Sequence, residues 1–289
     1  MTKLWITGAN GLLGRALVEK ANKLCFFATG REVDIGKRDV LNRFVQEHPE
    51  ITHIVNCAAF SQVDLAETMR QEAYAANVMG SENLASLAKE HGMKLIHIST
   101  DYIFPGDLHR SLTENDPVGP CNYYGQTKLE GELKVERILP SACIIRTSGI
   151  FGRGGKNFVS KLFQLMQSQK EIRLTFDQWG CFTYAPDLSE AILQMLDVSG
   201  VFHFANGGAL SKYEFGRLFR EEALKMGLPI LTESILPVPG STFPSPCKRP
   251  NFSVLNTDKI EKALKITPRT SQTALRSYLE NYATHPIPC

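Results

Sequence analysis

Tyr124 and Lys128 stand four residues apart in Tyr124-Gly125-Gln126-Thr127-Lys128. On a helix that spacing puts both side chains on one face, a single turn apart. A cation held beside a phenol stabilises the phenolate and draws its pKa down from about 10. Such a tyrosine exchanges a proton with a carbonyl or an alcohol near neutral pH, as an enzyme must when it moves a hydride to or from a carbon bearing oxygen. Taken alone, the pair reads more simply as a chance feature of a surface helix. Its surroundings change that reading.

Ser99-Thr100-Asp101 follows the apolar run Leu95 to Ile98, a predicted strand. Open α/β sheets bind ligands at the carboxyl ends of their strands. A Thr100 hydroxyl there can hydrogen-bond a substrate carbonyl while Tyr124 delivers the proton, and Lys128 can also reach the ribose hydroxyls of a nicotinamide. Asp101 can either bond a substrate hydroxyl or cap the loop that follows. Tyr123 is about 140° off the Lys128 face and is assigned to packing or substrate contact. Asn122 is a helix cap. No Ser-His-Asp order, metal-spaced carboxylates or nucleophile elbow is present, and the seven scattered histidines read as structural.

Thr7-Gly8-Ala9-Asn10-Gly11-Leu12-Leu13-Gly14 lies between a first strand and a first helix. A tight turn, close backbone approach and free N–H groups at a helix start form a dinucleotide cradle. The spacing is G-x-x-G-x-x-G, and its place at the head of a βαβ array gives it weight. The second strand runs into Thr29-Gly30-Arg31, with Glu32 and Asp34 beyond. Arg31 can pair with a 2′-phosphate, which favours NADP(H); Glu32 keeps NAD(H) open. Asp34, by hydrogen bonding, and Ile35, by packing, would flank the adenine. Asn56-Cys57-Ala58-Ala59 ends the third strand in small residues that let the chain approach a cofactor. Phe60 and Ser61 continue that wall, and Ile98 closes it from the fourth strand.

These residues need a scaffold, and the first 150 residues supply its pattern. Short apolar runs (Leu4–Ile6, Leu24–Ala28, Ile54-Val55, Leu95–Ile98, Cys143–Ile145) alternate with helical spacing up to Ala21, at Val40–Val45, from Met69 to His91 and from Tyr123 to Ile138. That alternation predicts an α/β fold, a Rossmann-type doubly wound parallel sheet covered on both faces with right-handed crossovers. Beyond Arg146 the alternation loosens into helical stretches near 157–169, 187–196, 212–226 and 270–283. Five prolines in 237–250 predict an irregular crossing loop. The expected organisation is a dinucleotide domain over 1–150, with a return near 180–205, and a smaller, discontinuous substrate lobe over 151–289. The cleft would lie between them.

Composition bounds the rest. At 289 residues, 43% hydrophobic and 21% charged, the chain is an ordinary globular protein able to bury a large core. A formal charge of +2 gives no reason to expect nucleic acid or an anionic membrane. Seven cysteines without a C-x-x-C pair read as reduced, mostly buried thiols. With no apolar run of spanning length and no room for a signal peptide before the first strand, the expected address is the cytoplasm.

With these segments in hand, the chain resembles the extended short-chain dehydrogenases/reductases and, within them, the dTDP-4-dehydrorhamnose reductase family. The resemblance takes in Val55–Ala59 with Val63–Glu67, Ser99–Phe104, Asn122–Gly125 and Arg146-Thr147-Ser148. It continues through Asp177–Gly180, Arg249-Pro250 and Phe252–Leu255. It implies NAD(P)H-dependent reduction of the 4-keto group of dTDP-4-dehydro-L-rhamnose, for cell-surface polysaccharide synthesis, by a monomer or homodimer. It places Thr100, Tyr124 and Lys128 on the catalytic triad, Gly8 to Leu13 on the cofactor loop, and Asp34-Ile35 and Ala59 to Ser61 on adenosine and ribose contacts. Two positions depart on the substrate side. Gly149 stands where a tryptophan usually follows Arg-Thr-Ser, and Cys181-Phe182-Thr183 replaces a small residue, Pro and Thr. Phe182 would refill the space left at Gly149. Nothing matches the acidic residues that bridge Mg2+ in some members, so no metal is expected. A cofactor-binding regulatory subunit and a related epimerase or dehydratase are the alternatives.

Overall fold

The computed structural model describes residues 2–155 and 157–284. β1 (Lys3–Thr7) turns Leu4 and Ile6 to one side and Trp5 to the other, all fully buried, as a strand between two helical layers requires. Then come α1 (Leu12–Lys20), β2 (Cys25–Thr29), α2 (Arg38–Glu47), β3 (His53–Asn56) and a short α3 (Val63–Ala66). α4 (Arg70–Tyr74), a π turn at Ala75–Met79 and α5 (Gly80–Glu90) follow one another without a break, and a short turn leads to β4 (Lys94–Thr100). α6 (Tyr123–Ile138) starts at Asn122, whose side chain accepts the Gly125 N–H at 2.8 Å, and β5 (Cys143–Thr147) follows.

The second half is built of shorter pieces: β6 (Ile150–Phe151), α7 (Phe158–Ser168), β7 (Glu171–Thr175), β8 (Trp179–Gly180) and β9 (Thr183–Tyr184). After α8 (Ala185–Gln194), β10 (Gly200–His203) returns to the main sheet. β11 (Leu210–Ser211), α9 (Lys212–Lys225), β12 (Ser234–Val238), α10 (Asp258–Leu264) and α11 (Ser271–Thr284) complete the chain.

The six-stranded sheet has the order β10-β5-β4-β3-β1-β2, parallel throughout. Strand addition therefore reverses direction between β1 and β3, where doubly wound sheets open a crevice at their carboxyl edge. Thr7 lies beside Asn56 and Thr100 beside Thr147 in the register, so the residues that follow β1, β3, β4 and β5 share one rim. One face packs under α1 and α8, and the other under α2, α5 and α6. A separate core joins Phe151, α7, Ile172, Leu174, α9 and α11 beside the sheet.

Three expectations differ from what the chain does. Pro237 is not in irregular chain but inside β12, which pairs with β7 in a two-stranded sheet. A proline fits an edge strand because its missing donor can face outward. The 69–91 region is not a regular helix. Its π turn carries Asn77, which accepts the Phe60 N–H at 2.9 Å and donates to the Phe60 carbonyl at 3.2 Å. The extra residue in that turn re-aims one side chain at the loop after β3. The cysteines are less buried than expected: Cys143, Cys181 and Cys247 are buried, Cys57 and Cys121 partly exposed and Cys25 exposed. Cys289 lies outside the described residues. No helix among the described residues is long and apolar enough to cross a membrane.

Candidate active site

A cleft of about 1960 Å³ runs along the rim where the strands end. Pockets for a single drug-sized ligand span roughly 300–1,000 Å³, so this cleft has room for two bound molecules. Its wall at one end is the turn after β1. Gly8 has φ +66°, and a Cβ there would lie 2.5 Å from the Ala58 amide nitrogen; only glycine lets the two strand ends come this close. Gly11 caps α1 with no side-chain bond, and the first turn holds no acidic residue. The free N–H groups of that turn face the cleft with the positive end of the helix dipole behind them. The donor set fits a dinucleotide pyrophosphate. Asn10, Leu12 and Leu13 line the same wall. Gly14 does not: it is buried, and a Cβ there would run into the Gly8 carbonyl. Its part is to let helix and turn pack, with no contact to the cleft.

Arg31, Asp34, Ile35, Ala58, Ala59, Phe60, Ser61 and Ile98 line the cleft too. Asp34 accepts the Gly36 N–H at 3.0 Å, ordering the loop after β2. Ile35 is buried against Gly80 and belongs as much to the core as to the cleft wall. The Glu32 carboxylate folds back onto the Gly30 N–H, while Arg31 is exposed.

At the centre, Tyr124, Lys128 and Thr100 come together on the cleft. Lys128 is 3% exposed, and its Nζ donates to the Ile98 carbonyl at 2.7 Å. Burial pulls this ammonium down to about 8. Tyr124 departs from expectation: burial pushes its phenol above the ordinary value, and the Thr100 hydroxyl bonded to it only partly offsets this. The cation one turn away is engaged with the strand end, so it does not draw the phenol down. Raised in this way, the phenol keeps its proton at neutral pH but is a weaker acid than a free tyrosine, so its transfer depends on negative charge developing on the acceptor.

Asp101 is buried, and its carboxylate faces protein hydroxyls. Its Oδ1 accepts from Thr100 at 3.1 Å, and its Oδ2 from Ser148 at 2.8 Å and from Ser253 at 2.6 Å. Burial raises its carboxyl and these three donors hold it back. Ser148 and Ser253 are distant from Asp101 in sequence, so no local pattern marks these bonds. Tyr123 lies away from the cleft, stacked under the Arg70 guanidinium at 4.5 Å. Its role is packing.

Gly149 has φ +51°, and a Cβ there would lie 2.5 Å from the Cys181 carbonyl oxygen. Phe182 lines the cleft beside Gly149, but its ring is stacked on Phe215 at 3.8 Å and 17° in the second core. Against Gly149 itself stand the Cys181 carbonyl and the Phe182 main chain.

The far end of the cleft holds charges to which the sequence reading gave no role. Arg249 grips both oxygens of Asp64 at 2.9 and 2.8 Å and donates to the Tyr102 hydroxyl at 3.3 Å. Lys212 donates to Gln178 at 2.7 Å and is pulled down to about 8 by burial. A lysine at the first position of α9 opposes the helix dipole, and that mismatch is the one sequence signal that could have marked it.

A family model described as the RmlD substrate binding domain matches residues 2–284. The spore coat polysaccharide biosynthesis protein SpsK of Bacillus subtilis (strain 168) is 36% identical over 285 residues, 97% of this chain and 98% of that protein. A dTDP-4-keto-6-deoxy-D-glucose reductase of Streptomyces niveus is 34% identical over 283 residues, 95% of this chain and 96% of that one. The crystal structure of a dTDP-4-dehydrorhamnose reductase from Bacillus anthracis str. Ames in complex with NADP is 30% identical. It superposes with a TM-score of 0.90 over 97% of this chain and 100% of that one.

Proposed function

The chain belongs to the RmlD substrate binding domain family, and we propose from that premise that it is an NAD(P)H-dependent reductase of a nucleotide-linked 4-keto-6-deoxysugar. The substrate favoured is dTDP-4-dehydro-L-rhamnose, giving dTDP-L-rhamnose as a polysaccharide precursor. The observation that carries this is the meeting of Thr100, Tyr124 and Lys128 beside an uncapped glycine turn in one cleft. NADP(H) is favoured over NAD(H), since a solved relative is in complex with NADP and Arg31 is exposed on the cleft.

When bound, a reduced nicotinamide supplies the hydride that goes to C4 of the sugar. The residues do the rest. Gly8 to Leu13 and the N–H groups at the start of α1 would hold the pyrophosphate. Tyr124 gives its phenolic proton to the ketone oxygen as charge develops there, so the carbon gains a hydride, the oxygen a proton, and the product is a neutral alcohol. Lys128, fixed by the Ile98 carbonyl, would supply a cation to the ribose hydroxyls of the cofactor and offset the negative charge of the spent phenolate. Arg249 and Lys212, at the other end of the cleft, suit the anionic diphosphate of the sugar nucleotide.

The test is turnover of NADPH with dTDP-4-dehydrorhamnose by wild type and Tyr124→Phe. Loss of the proton donor should lower kcat by about 10²–10⁴-fold with NADPH binding kept. Wild type no faster than the variant on any of a panel of dTDP-, UDP- and GDP-keto sugars sinks the proposal.

A further inference from the structure

Residues 243–251 line the far end of the cleft, and little in their own chemistry fixes them there. From Ser241 to Lys248 only Cys247 is buried, so apolar burial contributes little. Pro244, Pro246 and Pro250 have no N–H to give. Among the described residues, no hydrogen bond between main-chain groups involves residues 244–250. Side chains hold this segment instead, and one acid receives most of them. Asp64, in α3, accepts Ser245 Oγ at 2.8 Å and Cys247 Sγ at 3.0 Å on its Oδ1. Arg249 Nη2 spans both of its oxygens at 2.9 and 2.8 Å. The Lys248 carbonyl accepts the Asn122 side-chain amide at 2.8 Å. Where the segment leaves β12, both oxygens of Asp177 accept the Gly240 N–H at 2.9 Å.

Of the three side chains on Asp64, Arg249 bears on the ligand. Its Nη2 serves Asp64 and its Nη1 the Tyr102 hydroxyl at 3.3 Å. A guanidinium carries five N–H groups, so hydrogens remain for a further anion. Lys212 stands close enough to feel both Arg249 and Asp64. One carboxylate against two cations leaves a positive surplus, which suits a diphosphate. The Arg249 and Asp64 side chains are 26% and 47% exposed, and an ion pair that open to water adds little to stability. Its contribution is geometric.

We propose that Asp64 is a positioning residue for the sugar nucleotide: it fastens residues 244–250 along the cleft and keeps the Arg249 guanidinium there for the substrate's diphosphate. Affinity for an anion thus depends on an acid of the same sign. Removing Asp64 takes away a repulsion and still weakens binding, because the cation it holds is no longer fixed.

The inference rests on the sugar-nucleotide reading above, and two measurements on the full-length protein test it. The first is calorimetric titration with dTDP alone. Asp64→Ala should weaken dTDP binding about tenfold, the scale of one charge-assisted contact, and move NADPH affinity by less than about twofold. Added to Arg249→Ala, it should cost less than about twofold more, because the group it holds is already gone. Unchanged or tighter dTDP binding by Asp64→Ala overturns the inference, as do losses that multiply. The second measurement reads the segment itself and needs no nucleotide. Trypsin should cut after Lys248 about tenfold faster in Asp64→Ala than in wild type, as local opening exposes the bond, with cuts elsewhere at wild-type rates. Equal rates at Lys248 overturn the inference. Asp64→Asn keeps the shape and one acceptor oxygen, and should move both readouts the same way by a smaller factor. Should Asp64→Ala fail to fold, an Asp64→Asn protein that matches wild type in both overturns the inference. A wild type that binds none of dTDP, UDP and GDP overturns the functional reading and this one together, whereas dTDP binding that survives intact in Asp64→Ala overturns this one only.

Discussion

The Nζ of Lys128 donates to the main-chain carbonyl of Ile98 at 2.7 Å, which fixes the cation of α6 to the end of β4 instead of leaving it on the phenol one turn earlier. The carbonyl takes one of three ammonium hydrogens, and the cation stays at the base of the cleft, where a ribose and a reacting oxygen can both feel it. Its electrostatic work is local and depends on its being charged.

That dependence sets a pH signature. Burial lowers Lys128 from 10.5 to about 8. Below about 8 it is protonated folded and unfolded, and burial of the charge opposes folding. Between 8 and 10.5 the unfolded chain binds the proton and the folded one does not, so stability rises with pH through this window. Urea unfolding at pH 7 and 9.5 should show a smaller rise for Lys128→Met than for wild type. Equal rises in the two proteins refute this.

Arg31 is exposed on the cleft just past β2. If it pairs with a 2′-phosphate, Arg31→Ala should raise KM for NADPH about tenfold, the worth of one charge-assisted contact, and leave KM for NADH within about twofold. Steady-state kinetics with both cofactors decide it, and an equal effect on the two removes Arg31 from cofactor choice.

Lys212 sits at the end of the cleft away from the glycine turn, with Arg249 close enough to lower its pKa. Lys212→Met is expected to weaken binding of the sugar nucleotide by roughly tenfold and to leave NADPH affinity alone, as read by calorimetric titration. Wild-type binding should weaken as pH rises through about 8, and the variant should lose part of that dependence. A variant that binds as wild type does would place the diphosphate elsewhere.

Gly149 combines positive φ with a Cβ position 2.5 Å from the Cys181 carbonyl. Gly149→Ala should cost about 1–3 kcal/mol in urea unfolding. It should also lower kcat, since Ser148 next to it holds the Asp101 carboxylate. A neutral substitution would mean that the 149–182 contact yields freely.

Much of the cleft's reacting end could be read without coordinates, because its signals are local. Tyr124 and Lys128 are one turn apart, Asn122 caps their helix, and Gly8 and Gly11 open a helix directly after a strand. The strand positions were legible as short apolar runs. The π turn at Ala75–Met79 was not, since the bonds it allows between Asn77 and Phe60 join residues that no periodicity links. Pro237 misled for a related reason: a proline's effect depends on whether its strand is an edge, a property of the sheet.

What the sequence determined by itself is everything that depends on neighbours in the chain: the βαβ order, the glycine cradle, the Tyr/Lys face and the strand ends that present them. Tertiary structure alone decided whom each polar group serves. Lys128 is held by Ile98 O, Asp101 gathers hydroxyls from residues 100, 148 and 253, Arg249 meets Asp64, and the Phe182 ring stacks on Phe215. The physical reason is that hydrogen bonds and ring packing act over a few ångströms while their partners stand tens to hundreds of residues apart. Only the folded chain brings them within range.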